Sequence, residues 1–404
     1  MTTATLQSRF NHLEDLLNAD IVEHEEAVHG VVLALAAGEH VFLLGPPGGA
    51  KSLLADRMRA RIDGARQFKT LLSPFATPEG QFGPWDLLAL KEGHYRRLID
   101  GYLASVELAF IDEIWNASDA ILHDLHMVTN EREFVNDGVV ISVPLSTMIC
   151  ASNVMPQNST LAAIYDRILL RYSVPHITDG GNFVNMLRLE MTPATPVLSW
   201  DDVAEAKAAV AQVPFDDEVY AALVEVRREL RSKNIDVTDR RFKRSLRVLQ
   251  AEAWLEGASQ VDVDQIMILA HVLWELPEQI TDVEAILSEK VSPGEKEALA
   301  LLEDIGKIGD IITKAKATDD PERQSALGLE AYPKIVSAAS TLKGLSQGEN
   351  RVSRRQQRVV KKCSDDLART SFVLLVDVLH YGFEEARKAL NGMIPASVEA
   401  PTTP

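Results

Sequence analysis

The amino-acid sequence predicts an α/β fold, a mostly parallel sheet with helices on both faces, followed by an all-α region and an extended helical arm. Three observations carry this. The short apolar run Val41–Leu44 leads straight into a glycine-rich stretch, and a helical pattern follows from Ser52 to about Ile62. Strand-like apolar runs then alternate with helical patterns over about 150 residues, which implies parallel strands joined by crossovers. From Trp200 onward the apolar residues recur at helical spacing.

In chain order, Leu6, Phe10, Leu13, Leu16 and Leu17 repeat three and four apart, so residues 5 to about 37 read as helical. After the strand at Val41–Leu44, further strands are expected at Phe68–Leu72, Glu107–Ile111, Ser146–Ala151 and Leu169–Val174. Small β-hairpins are expected at Gly93–Leu103 and Phe134–Val143. Asp179–Pro196 is rich in Gly, Pro, Asn and Thr and reads as a boundary. The expected domains are residues 1–190 for the α/β part, 196–278 for the all-α part and 279–394 for the arm. The arm reads as about three long helices with a sparse apolar stripe, broken near Asp320-Pro321 and near Gly344–Asn350, and coiled-coil-like in pattern. The Pro/Thr-rich tail, 395–404, is expected to be disordered.

Composition narrows the function classes. Of 404 residues, 46 % are hydrophobic and 25 % charged, the usual mix of a globular protein, and the net charge is −18. Phosphate-backbone binding is driven by Lys and Arg, so a role coating nucleic acid is disfavoured. Cys150 and Cys363 are the two cysteines, too few for a disulfide framework or a cysteine zinc module. The N-terminus lacks the basic-then-apolar pattern of a signal peptide, and no apolar run approaches ~18 residues. A cytoplasmic protein without membrane insertion is the resulting expectation.

Gly45-Pro46-Pro47-Gly48-Gly49-Ala50-Lys51-Ser52 fits G-x-x-x-x-G-K-[ST] at every position except Ala50. Such a loop turns its backbone N–H groups around phosphates, and the following helix adds its positive end. Lys51 is expected to reach the β- and γ-phosphates, Ser52 to ligate Mg²⁺, and Leu53 to complete the loop's nucleotide contacts. The methyl group of Ala50 is expected to be a mild change. Leu108-Ala109-Phe110-Ile111 forms an apolar strand that ends in Asp112 and Glu113. Asp112 is placed to hold Mg²⁺, and Glu113 to orient and deprotonate the attacking water. A third apolar strand ends at Ala151-Ser152-Asn153, where Asn153 could donate to the γ-phosphate or the water.

These residues resemble the AAA+ ATPases, more narrowly the MoxR branch, and within it the RavA-type proteins. Phe75-Ala76-Thr77-Pro78-Glu79-Gly80-Gln81-Phe82-Gly83-Pro84, Phe110-Ile111-Asp112-Glu113-Ile114-Trp115, Tyr165-Asp166-Arg167-Ile168-Leu169-Leu170-Arg171 and Thr238-Asp239-Arg240-Arg241-Phe242-Lys243 carry the likeness together with the glycine-rich loop. It covers about residues 10 to 280. The resemblance implies an ATP- and Mg²⁺-dependent ATPase with an AAA+ α/β domain and an all-α lid that closes on nucleotide. It makes Lys51 and Ser52 Walker A, Asp112 and Glu113 Walker B, and Asn153 sensor 1. Arg167 matches the arginine finger that reaches a neighbouring subunit's γ-phosphate, with Arg171 as the alternative; Arg240 matches sensor 2, with Arg241 adjacent. It further implies a homohexameric ring, chaperone-like work on a protein client whose identity is open, and a partner with a von Willebrand factor A (VWA) domain. The β-rich domain inserted in the arm of the best-known RavA-type members has no counterpart in 288–394.

Two other readings stay open at this stage, a nucleic-acid motor or loader and a nucleotide-switched scaffold with low turnover. The basic residues Arg351, Arg354, Arg355, Arg358, Lys361 and Lys362 favour the first, although such a run is more often a solvated helix face. His123 and His126 lie three apart on a helical pattern but lack an obvious third ligand for a metal. Trp254 and Trp274 read as lid core.

Overall fold

The structure, a computed structural model, describes residues 3–157, 159–291, 293–318, 320–347, 354–381 and 385. The expected disordered tail lies outside the described residues, as does most of the arm beyond residue 381. The chain divides into two compact units, Met1–Leu287 and Ser288–Pro404.

The first unit opens with α1 (Thr3–Asp20) and α2 (Glu25–Ala37). Nine strands follow in it: β1 (Val41–Leu44), β2 (Ile62–Asp63), β3 (Gln67–Leu71), β4 (Leu108–Asp112), β5 (Glu133–Asn136), β6 (Val139–Ser142), β7 (Thr147–Ser152), β8 (Leu170–Ser173) and β9 (Leu198–Ser199). Five build one sheet in the order β3-β4-β7-β1-β8, every pair parallel. Each lies within two residues of its expected place. β7 is buried along its whole length and β1 and β4 along all but their last residue, which is why they read as unbroken apolar runs rather than alternating ones. All the C-terminal strand ends face one edge, so Leu44, Asp112 and Ser152 finish side by side.

Helices α3 (Lys51–Arg59), α4 (Pro78–Phe82), α5 (Leu87–Lys91), α6 (Asp119–Asn130), α7 (Ser159–Arg167) and α8 (Gly180–Arg188) fill the crossovers and the segment after β8. α2 packs on β1, β7 and β8 with one side and on the helical region beyond residue 200 with the other, and is buried from Ala27 to Ala37. Gly30 permits this approach, since a Cβ there would sit 2.1 Å from the Tyr172 ring.

The expected hairpin at 134–143 is present as antiparallel β5–β6, turned by Asp137 and Gly138, both with positive φ. The one expected at Gly93–Leu103 is not formed. There a single bridge joins Trp85 to Arg97, and a short 3-10 turn spans Leu103–Ser105. The backbone of 95–97 bonds to the hairpin turn instead: Tyr95 N donates to Asp137 Oδ1 at 2.7 Å and Arg97 N to Asn136 Oδ1 at 2.7 Å.

The helical region contains α9 (Trp200–Val210), α10 (Asp217–Ser232), α11 (Asp239–Glu256), a 3-10 segment at Val263–His271 and α12 (Ile280–Ser288). It packs on α1 and α2. Phe10 meets Trp254 edge-on at 5.3 Å, Gln7 donates to the Trp254 carbonyl at 2.7 Å, and His29 Nε2 lies 2.6 Å from buried Glu252. Val283, Ile286 and Leu287 are buried, and the first unit runs to Leu287.

In the second unit, α13 (Pro293–Lys316), α14 (Pro321–Gln347) and α15 (Arg354–Val373) pack on one another. Leu301, Ile305, Ile308 and Ile312 of α13 meet Ile335 and Leu342 of α14 and Leu367 of α15 in a common core. The arm is helical as expected, and its sparse stripe is enough for three helices to close on each other.

Two buried histidines are expected to make the first unit acid-sensitive. His40 is fully buried and its Nδ1 accepts from Met148 N at 3.1 Å; burial, then the charges of Arg132 and Arg244, holds it well below the ordinary 6.5. Burial lowers His24 as well. A depressed folded pKa means the unfolded chain binds the proton more readily. Stability should therefore be complete above about pH 7 and fall as pH drops below about 6.5, by up to about 1.4 kcal/mol per pH unit for each proton. Urea midpoints at pH 7.5 and 5.5 check this. His40→Gln, which keeps an acceptor, should flatten the slope; an equal slope would remove His40 as its source.

Candidate functional site

The glycine-rich loop lies at the C-terminal end of β1, between β7 and β8, and runs into the first turn of α3. Two glycines have specific causes. A Cβ on Gly45 would come within 2.0 Å of the Val174 carbonyl oxygen, and Gly48 has φ 82°. Ala50 corrects the expectation of a mild change. It has φ 61° and ψ 6°, left-handed backbone that costs an L-residue about 1–2 kcal/mol. The glycine usual at this position serves the backbone, not the space.

Lys51 is 7 % exposed, and its Nζ donates to the carbonyls of Gly45 at 2.6 Å and Pro46 at 2.7 Å. Burial lowers its pKa, opposed by the carboxylates of Asp112 and Glu113. Ser52 Oγ donates to Asp112 Oδ2 at 2.8 Å, and Glu113 N donates to Asp112 Oδ1 at 3.0 Å, so both Asp112 oxygens are held in place. Glu113 has φ 53° and ψ 46°, a strained conformation of the kind found at functional sites.

A cavity of about 760 Å³ opens beside this cluster. Pro47, Gly48, Gly49, Ala50, Lys51, Ser52, Leu53, Asp112 and Glu113 line one side. Gly45 and Pro46 lie outside the lining and supply the carbonyls that hold Lys51. Asn153 is exposed and follows the end of β7, one residue past the Leu44–Ser152 register pair, also outside the lining.

The other wall was missed by sequence reasoning. It consists of Asp20 at the end of α1, Ile21, Val22 and His24 from the α1–α2 turn, Pro175, His176 and Ile177 after β8, and Phe183, Met186, Leu189 and Met191 in and after α8. The segment read as a boundary thus carries a helix. The signal was there: Asp179 caps the helix by accepting from Asn182 N at 2.7 Å, and Phe183, Met186 and Leu187 follow at helical spacing. The helical region beyond residue 200 contributes nothing to the lining, so α8 covers the cavity where the lid was expected to.

Of the four candidate arginines, Arg167, Arg171 and Arg241 are buried and Arg240 is exposed, and their partners differ. Arg171 is 1 % exposed, donates to the carbonyls of Trp274 and Tyr165, and stacks 3.6 Å from the Tyr165 ring centre. Arg241 is 3 % exposed and donates to the carbonyls of Asp166, Ile168, Leu169 and Val272. Both tie α7 and β8 to the helical region. Arg240 is exposed, 3.4 Å from Asn130 Oδ1. Arg167 donates to His126 Nε2 at 2.7 Å and to the Ala163 carbonyl, while Arg244 donates to the Arg167 carbonyl at 2.7 Å. Arg240, His126 and Arg244, the last paired with Glu39, thus gather around Arg167, and none of the four lines the cavity. Burial, then the charge of Arg167, lowers the pKa of His126. His123 is exposed beside Asp124, and among the described residues no three His, Cys, Asp or Glu side chains are grouped to hold a metal.

Comparison with known proteins agrees with this architecture. A family model described as the MoxR domain in the MoxR-vWA-β-propeller ternary systems matches residues 8–189, and an AAA lid domain model matches 218–287. Two uncharacterised proteins of Methanocaldococcus jannaschii are similar, one 30 % identical over 285 residues (70 % of this chain, 74 % of that one) and the other 32 % over 274 (67 % and 73 %). A structural protein of Acidianus two-tailed virus is 26 % identical over 225 residues, 52 % of this chain and 36 % of that protein. A crystal structure of a candidate ATPase from Cytophaga hutchinsonii superposes with a TM-score of 0.58 at 16 % identity, over 72 % of this chain and 96 % of that one, a likeness of fold. With family models over both its α/β and its helical parts, and two relatives matched over more than two thirds of their length, the chain belongs to the MoxR family of AAA+ ATPases.

Proposed function

We propose that this chain hydrolyses Mg²⁺-ATP at the Lys51–Ser52–Asp112–Glu113 cluster, in a ring of its own copies, and spends the cycle remodelling or activating a protein partner. The observation that carries the reading is the cluster itself. A glycine-rich loop, an amine and two carboxylates meet at the strand ends beside a cavity large enough for a nucleotide.

The donor set suits the substrate. Lys51 is satisfied only by two carbonyls of its own loop, acceptors that phosphate oxygens can replace with a charge-assisted bond. Ser52 and Asp112, a hydroxyl and a carboxylate already 2.8 Å apart, are the oxygen ligands that would hold Mg²⁺. The ion, when bound, neutralises charge on the β- and γ-phosphates. Glu113 accepts the proton of the attacking water as the oxygen–phosphorus bond forms and ADP leaves. Asn153 is assigned a hydrogen bond to the γ-phosphate or the water.

Arg167 is assigned to the neighbouring subunit's γ-phosphate, with Arg171 as the alternative, and Arg240 to sensor 2 on the lid, with Arg241 adjacent. Arg167 does not line its own cavity, which supports a role at a neighbour's site. A head-to-tail interface of that kind forms a ring where its rotation closes, and the family resemblance makes that ring a homohexamer. A VWA-domain partner is supported by the description of the matching family model, while the RavA-type affiliation rests on motif resemblance. Among the described residues no helix is long and apolar enough to cross a membrane, and cytoplasmic work on a protein client fits that.

ATPase rate per chain against protein concentration, with size by light scattering on the same samples, tests the reading. The rate should rise as assemblies form. A constant rate from monomer to assembly would refute an active site completed by a neighbour.

A further inference from the structure

Helix α8 has no buried residue, so core packing does not set its position over the cavity. Two polar clamps hold it, centred on Glu23 and on Arg57; neither of these two side chains lines the cavity, whereas Asp20, the carboxylate that Arg57 meets, does. At its N-terminal end, Glu23 Oε1 accepts from Thr178 N and Thr178 Oγ1, both at 2.7 Å. Glu23 Oε2 accepts from Asp179 N at 3.2 Å and from Asn182 Nδ2 at 3.1 Å. Beyond its C-terminal end, Arg57 donates to the Thr192 carbonyl at 2.7 Å and to Asp20 at 2.6 and 2.8 Å. Arg57 lies on α3, the helix that starts at Lys51. Glu23 also has φ 67°, a left-handed conformation rare for glutamate, which turns the chain so that its carboxylate meets α8.

What α8 and the segment just after it present to the cavity is an apolar face kept partly in solvent. Phe183 is 48 % exposed, Met186 37 % and Met191 43 %. Ile21 and Val22 stand among the other lining residues. Phosphates bound at Lys51 leave the nucleoside to fill this apolar part, and a purine ring is flat and apolar on both faces.

We propose that Glu23 is a positioning residue for the nucleotide: it holds α8 so that the Phe183–Met186–Met191 face forms the wall against which the base packs. Glu23 touches no nucleotide atom. It acts through Thr178, Asp179 and Asn182, so its loss lets the base-side wall move while the phosphate loop stays formed. This rests on the assignment of the cavity to ATP.

Inorganic tripolyphosphate, which has no base, separates the two halves of the site. Binding of ATP and of tripolyphosphate to the full chain is measured by calorimetry for wild type, Glu23→Ala and Glu23→Gln. Loss of four accepted bonds should weaken ATP about tenfold or more and leave tripolyphosphate within about twofold. KM for ATP should rise with kcat retained, and Glu23→Gln, which keeps an acceptor oxygen, should fall between. Equal weakening of both ligands, or unchanged ATP binding, overturns the proposal. Should Glu23→Ala fail to fold, Asn182→Ala removes one bond of the clamp and must show the same split at smaller size. A wild-type chain that binds tripolyphosphate but not ATP would overturn the nucleotide assignment itself, a different result from either.

Discussion

Replacing Arg167 by alanine is expected to lower ATP turnover by about 10³–10⁵-fold while ATP binding and assembled size are kept, the range known for an arginine supplied to a transferring phosphoryl group. The expectation comes from an uncomfortable cation. Arg167 is 9 % exposed, its Nε is buried without a hydrogen-bond partner, and its other nitrogens turn to its own helix and to His126. Burial, then the charge of Arg240, lowers its pKa. A cationic group held so close to others is relieved by an incoming anion, and a neighbour's γ-phosphate is the anion that catalysis requires. Mixing gives a sharp measurement. Arg167→Ala chains and Glu113→Gln chains are each expected to be inactive, and mixed rings should regain turnover, because an intact Glu113 then meets an intact Arg167 across an interface. Inactive mixtures whose exchange is verified would place both residues on the same chain's reaction or remove Arg167 from it.

Replacing Glu113 by glutamine is expected to lower turnover by about 10²–10⁴-fold and leave ATP binding close to wild type. The amide keeps the shape and the hydrogen-bonding reach but cannot take the proton. The backbone should tolerate the change, since the left-handed conformation is already imposed on a residue of equal size and Glu113 N still bonds to Asp112. Single-turnover measurements with trapped nucleotide separate the two quantities. Turnover that stays within a fewfold of wild type would exclude Glu113 as the base and leave Asp112 or a chain of waters in its place. The same result would strengthen the low-turnover switch, which has no need of a base.

Local features were legible without the fold. The loop from Gly45 to Ser52 and the pair Asp112-Glu113 are consecutive residues whose geometry follows from one strand end and one helix start, and both stand at the cavity. The five sheet strands were readable for a related reason, since strands buried on both faces are continuous apolar runs. The span 180–188 was misread because its helix buries nothing, so its apolar residues looked like scatter between Gly and Pro rather than a core stripe. The Gly93–Leu103 hairpin failed because the backbone of 95–98 bonds instead to Pro84 and Asp86 and to a turn some forty residues away.

The sequence by itself determined the nucleotide loop, the carboxylate pair and the order of strands and helices, because these depend on neighbours along the chain and on the period of apolar residues. Only the tertiary structure distinguishes the surroundings of the arginines: Arg171 and Arg241 are buried among backbone carbonyls and Arg240 is exposed, a difference that letters alone do not carry. It also decided what covers the cavity. That wall is assembled from the α1–α2 turn and, about 150 residues on, the exit of β8 with α8, which the parallel sheet brings together at one edge.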